Sequence, residues 1–195
     1  MRLRPTGGEL LAAARTVLRE SLLPSTSSED DRQALLAMAR TMAVVENELE
    51  FEQPGRPDDL ERLEAARVLL REKLLPRLPQ DRRYDARLVA KAMAVAAAEL
   101  RLGEALERTE LAGLAALLDE PPQPAADVLA LRGQVAALGA RFAGRIRGGG
   151  FDPGTSGHAA AVAHLRATTH GALAVSNPAY LKARAPSTAP ALPRV

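Results

Sequence analysis

Three histidines, a run of alternating carboxylates, a glycine-rich loop and a set of arginines are the side chains of this 195-residue chain whose types could carry chemistry. His158, His164 and His170 recur at intervals of six. Two ligands, or an acid and a base, on one helical face need a spacing of three or four. Six residues leave consecutive histidines about 120° out of alignment around a helix axis. No cysteine and no His-Glu-x-x-His pattern accompanies them. A disulfide framework, thiolate catalysis, cysteine-ligated zinc and cysteine-ligated iron–sulfur clusters are thereby excluded. The expectation is no catalytic residue, no cofactor and no metal.

Carboxylates alternate at Glu46, Glu48, Glu50 and Glu52, of which Glu46 and Glu50 share a helical face. A solvated face with one structural ion pair is the favoured reading; a cation site or a pairing with arginine across a hairpin is the alternative. Gly148-Gly149-Gly150-Phe151-Asp152-Pro153-Gly154 invites a phosphate-binding role. It lacks the Lys-Ser/Thr and the preceding strand of a phosphate loop, and nothing matches Gly-x-Gly-x-x-Gly after a strand, so it reads as a connector. Arg141 and Arg145 are i,i+4 neighbours in one predicted helix that also holds Arg132 and Arg147. They could complement the negative end of the helix dipole, or meet an acidic surface or a phosphate. Arg132, Arg141 and Arg145 are therefore the candidate contacts for a partner or an anion.

The elements that must position these groups follow from composition and period. Ala (39) and Leu (31) dominate, with no Trp, two Tyr and three Phe. Such a mixture, poor in aromatic and β-branched residues, favours closely packed helices over sheets. Of 26 basic residues 23 are Arg, a bias expected of a GC-rich bacterial genome. The net charge of +2 conceals an uneven distribution: residues 1–52 carry −3, and residues 127–195 carry +6.

Two segments repeat. Leu11 to Pro24 (LAAARTVLRESLLP) and Leu63 to Pro76 (LEAARVLLREKLLP) agree at ten of fourteen positions at an offset of 52. Ala39 to Leu49 and Ala90 to Leu100 agree at six of eleven at an offset of 51. This predicts a duplicated helical hairpin. The polar positions common to both copies are Arg19/Arg71, Glu20/Glu72 and Glu48/Glu99.

Each copy opens on a cap signal, Thr6-x-x-Glu9 or Asp58-x-x-Glu61, and its first helix is expected to stop at Pro24 or Pro76. Leu10, Ala14, Val17 and Leu18 form the first apolar stripe, and Leu63, Ala66 and Leu70 its equivalent. The second helices carry sharper seams: Leu35, Met38, Met42, Val45, Leu49, and Ala86, Val89, Met93, Ala96, Leu100. Three further helices are predicted. One spans 104–118 with Leu106, Leu111, Leu114 and Leu118, and one spans 127–147 with Val128, Leu131, Val135, Leu138, Phe142 and Ile146. The last runs over about 157–176 and is closed by Asn177-Pro178. The expected fold is all-α: a bundle of about seven helices in one domain over 1–181. Hairpin copies lie at about 6–52 and 58–103, C-terminal helices at about 104–178, and a flexible tail at 182–195.

The N-terminus carries no leader pattern and no window is long and apolar enough to span a bilayer, so a cytoplasmic protein without membrane contact is expected. The aromatic residues are scattered and no helix has the make-up of a recognition helix, so no nucleic-acid partner is expected. Ala94, Ala96, Ala97 and Ala98 would permit close helix contact, which makes a homo-oligomeric scaffold one alternative to a partner protein. The other is an uncharacterised small-molecule-binding bundle or enzyme, with a pocket between the hairpins holding Glu48, Glu99 or a histidine beside an arginine.

Several short motifs resemble one bacterial family. They are Arg4-Pro5-Thr6-Gly7-Gly8-Glu9-Leu10-Leu11, Arg83-Tyr84-Asp85-Ala86, Ala90 to Ala97, His164-Leu165-Arg166-Ala167-Thr168 and Asn177-Pro178-Ala179-Tyr180. The family is a domain-of-unknown-function family encoded beside aminoglycoside-phosphotransferase-like kinases and acyl-CoA dehydrogenases. It is similar to the small subunit of the levulinate-pathway 4-hydroxyacyl-CoA kinase, and the resemblance extends over roughly 1–182. It implies a non-catalytic accessory role beside a phosphotransferase-like kinase that phosphorylates a hydroxyacyl-CoA. It supplies no catalytic residues.

Overall fold

Thr6 begins the ordered helices as its motif requires. Its Oγ1 accepts the Glu9 N–H at 3.1 Å, and Glu9 Oε2 accepts the Thr6 N–H at 2.7 Å. This reciprocal cap satisfies donors that the first turn leaves without helical partners. The computed structural model describes residues 5–51, 57–102, 104–121 and 123–184. Among them run eight α-helices and no strand: α1 (Gly7–Val17), α2 (Glu29–Phe51), α3 (Pro57–Leu69), α4 (Arg83–Leu102), α5 (Ala105–Leu118), α6 (Val128–Arg147), α7 (His158–Ser176) and α8 (Pro178–Arg184). The fold is an all-α bundle.

α1 and α3 end at their prolines as expected, but each does so through a widened turn. Leu18–Leu22 and Leu70–Leu74 each widen into a π-turn, in which Leu23 N–H reaches Leu18 O (3.0 Å) and Leu75 N–H reaches Leu70 O (2.8 Å). Leu23 and Leu75 keep right-handed helical backbone directly before Pro24 and Pro76. A proline ring in a regular α-turn clashes with the carbonyl four residues back. Widening the turn moves that carbonyl aside, so the helix persists until the first residue without an N–H.

α1 packs on α2 and α4, and α3 packs on the same two helices. The buried seam of α2 is Leu35, Met38, Met42 and Val45, and that of α4 is Ala86, Val89, Met93 and Ala96, both as the period predicts. The α1 stripe keeps Ala14 and Leu18 but has Leu11 and Leu22 buried with them, while Leu10 and Val17 are half-buried. The cause is the approach of α1 to α4 at its start, where Gly7 and Gly8 lie inside. A Cβ on Gly7 would stand 3.0 Å from Ala96 Cα and 2.6 Å from Glu99 Oε2, so only glycine fits.

The second copy opens differently from the first. Asp58 does not cap α3; it lies within the first turn, behind Pro57, and pairs with Arg62 at 3.7 Å.

The C-terminal helices form a second, smaller cluster of Leu114, Leu118, Phe142, Phe151 and Ala161. α5 and α6 are neighbours, and α7 lies against both α5 and α4. Asp119, in left-handed backbone (φ 57°), ends α5, and the Glu120 N–H bonds back to Ala115 O at 3.0 Å. Asp127 caps α6 by accepting the Ala130 N–H at 2.7 Å. Ile146, placed on the apolar face by period, is 38% exposed. Asn177 closes α7 as expected, but Pro178 immediately starts the eighth helix. Residues 182–184, expected in the tail, therefore belong to α8; 185–195, Glu52 and Arg4 lie outside the described residues.

Candidate functional site

Glu99 lies near the end of α4, where α1 begins and α6 passes. Its Oε2 accepts the Gly7 N–H at 2.6 Å, and its Oε1 lies 3.7 Å from Arg132 Nη2. Arg132 Nε also donates to Glu107 Oε1 of α5 at 2.8 Å. One half-buried arginine thus bridges two carboxylates, and one of those carboxylates holds the positive end of α1. The network joins the four-helix unit to the C-terminal helices. Within it two carboxylates face one guanidinium and the N-terminal end of α1.

The other candidate arginines also have intramolecular partners. Arg141 makes a two-pronged pair with Glu120. Arg145 donates to Leu117 O at 3.1 Å and lies over the Phe151 ring, 5.0 Å from its centroid. Nine residues separate Arg132 from Arg141, two and a half helical turns, so they lie on opposite flanks of the α6 seam. Arg132, Arg141 and Arg145 therefore do not form one patch.

The carboxylates divide as well. Glu46 pairs with Arg15 across the α1–α2 interface at 3.0 Å, and Glu48 is half-buried with contacts of its own. Arg19, Glu20, Arg71 and Glu72 are exposed on the two π-turns and make no ion pair among the described residues. Near them, Ser21 Oγ donates to Asp85 Oδ2 of α4 at 2.5 Å, and Arg77 of the second connecting loop pairs with Asp31 in the first turn of α2 at 2.9 Å.

The histidines stand apart. His158 Nδ1 lies 2.9 Å from Phe151 O, ordering the glycine-rich loop. His164 packs edge-on against Phe142 at 5.7 Å and fills the space over Gly113. His170 is exposed. Among the described residues no group of three His, Cys, Asp or Glu could hold a metal ion. No helix there is long and apolar enough to cross a membrane. Ala96 and Ala97, expected on an intermolecular face, are buried in the chain's own core.

Two of the clefts among the described residues bear on binding. One of about 180 Å³ lies between the hairpin loops, lined by Ser25 to Ser28, Asp31, Arg77 and neighbouring leucines. The other, about 380 Å³, is a mainly apolar groove between α7 and α8. Val162, Leu165, Arg166, Thr169 and Leu173 line it from α7 and Leu181 from α8, with Leu165 47% exposed. Residue types alone do not mark it, because apart from Arg166 and His170 its lining is Val, Leu and Thr. Its signal was present in the spacing: α7 has a second stripe at 162, 165, 169 and 173, beside the buried stripe of Ala161, Gly171 and Val175.

Residues 76–180 match the family described as Domain of unknown function (DUF6285). The match covers more than half of the chain, which belongs to this family, and it includes α4 to α7 with the groove face of α7. It leaves out the Arg4 to Leu11 motif and the first hairpin. No curated protein and no solved structure matches the chain.

Proposed function

We propose that this member of the DUF6285 family is a non-catalytic accessory subunit of a phosphotransferase-like kinase, acting in the cytoplasm on hydroxyacyl-CoA in acyl-CoA catabolism. The kind of partner comes from the resemblance to the small subunit of such a kinase. The observation that carries a binding role is the open apolar groove of α7 and α8, within the matched segment up to Tyr180. An apolar groove on a helical surface gains by being covered. The ionic groups first considered for chemistry serve the fold: Arg132 joins helices, and Arg141 and Arg145 fasten α6 to the end of α5. A bundle of this kind supports a kinase by docking on it and favouring the closed arrangement of its substrate cleft.

Co-expression with a phosphotransferase-like kinase from the same genome, followed by size-exclusion chromatography and a kinase assay, tests the reading. The expected result is co-elution together with a change in turnover. Separate elution at micromolar concentration with unaltered turnover overturns it.

A further inference from the structure

Resting on that reading, the α7–α8 groove specifies what the partner must present. Its apolar side chains recur at intervals of three and four, from Val162 through Leu165 and Thr169 to Leu173, and Leu181 forms the far wall. The twelve residues 162–173 of α7 span about 16 Å of rise, the length of three turns of a second helix. Arg166 and His170 stand among the lining residues.

Of the residues that line the groove, Arg166 is the one fixed charge, and none is Asp or Glu. The lining therefore supplies a cation and no carboxylate. A second copy of the same face would bring like charge against like charge. An acidic one would find complementary partners.

We propose that the groove receives an amphipathic helix of the partner protein, with an apolar stripe at i, i+3 or i+4, and i+7 flanked by Asp or Glu. The stripe covers Leu165 and Leu173, and the flanking carboxylates meet Arg166. Apolar cover supplies the contact area. The charges set the orientation and exclude basic or self-derived helices.

Binding of two fluorescent synthetic helices of about 18 residues to the full-length protein tests this, followed by anisotropy. Both carry the same Leu/Ala stripe, one with Glu flanks and one with Lys flanks. The Glu-flanked helix is expected to bind at least tenfold more tightly, and Leu165→Asp to weaken it at least tenfold. Arg166→Glu, on an exposed side chain with circular dichroism confirming the fold, is expected to shift preference toward the Lys-flanked helix. Equal binding of the two helices, or no binding of the Glu-flanked one, overturns the inference. So does dimerisation of the protein that Leu165→Asp abolishes. With the kinase itself, a complex indifferent to both substitutions overturns the groove assignment and leaves the accessory role standing. Charge-selective peptide binding without any kinase complex does the reverse.

Discussion

Leu11, Leu18, Leu22, Leu63 and Leu70 in the α1–α4 unit are all at 0% exposure and belong to one cluster, whereas the cluster of Leu114, Leu118, Phe142, Phe151 and Ala161 runs from 2% to 9%, and the sealed Leu131 of α6 lies outside it. The first unit is built from two hairpins facing each other, so aliphatic side chains enter from four helices and close over one another. The second has three helices and a glycine-rich loop, and it compensates with aromatic contact. Phe142 meets Phe151 edge-on at 5.1 Å, and Arg145 covers the outer face of Phe151. The difference shows two ways of enclosing apolar surface: interdigitation where four helices are available, and an aromatic pair under a cation where they are not.

Truncation of one leucine in each unit gives the largest contrast. Leu18→Ala is expected to lower unfolding free energy by about 4 kcal/mol and Leu114→Ala by about 2 kcal/mol, because a fully enclosed site collapses less into the cavity. Urea titrations followed by circular dichroism measure both, and equal losses would erase the distinction between the units.

The joint between them comes next. Glu99→Ala leaves the Gly7 N–H and one side of Arg132 without an acceptor and is expected to lower stability by about 2 kcal/mol. A double-mutant cycle with Arg132→Ala separates the contribution of that arginine. Because Arg132 Nη2 is 3.7 Å from Glu99, the coupling is expected to be under about 1 kcal/mol, with the remainder belonging to the α1 cap. Amide exchange resolves the two: Glu99→Ala should accelerate exchange in the first turns of α1 before it does so in α6.

Within the smaller unit, Arg145→Ala removes the bond to Leu117 O and the cover over Phe151, for an expected loss of about 1 kcal/mol. Thermal unfolding reads it directly. Arg141→Ala breaks only an exposed pair with Glu120 and is expected to change stability by no more than about 0.5 kcal/mol, diminishing further in high salt. An Arg141 effect as large as that of Arg145 would mean that ionic fastening, not aromatic cover, holds α6 in place.

Much of the fold was legible along the chain. Leu35, Met38, Met42 and Val45, and likewise Ala86, Val89, Met93 and Ala96, lie inside as their spacing dictates. The Thr6–Glu9 cap forms as its motif dictates. Both segments 52 residues apart run from an α-helix into a π-turn, but the second adds a 3-10 turn at Gln80–Arg82 before α4, and neither widened turn was foreseeable from a rule that stops helices at proline. The site was less legible. Arg132, Arg141 and Arg145 share one helix in the sequence, yet their partners come from α4, α5 and the turn beyond it. The groove was not legible because valine, leucine and threonine are ordinary core residues, and only the tertiary structure shows that no other described residue covers them.

By itself the sequence determined helix positions, the buried faces of α2 and α4, and the uneven distribution of charge, since a 3.6-residue period and a local cap depend only on near neighbours in the chain. Tertiary structure alone decided that Glu99 receives Gly7 from 92 residues away. It also decided that Leu11 rather than Leu10 faces the core, and that one stripe of α7 is enclosed while the next stays open. Which acceptor a donor finds, and which face is covered, depend on helices brought together from distant parts of the chain.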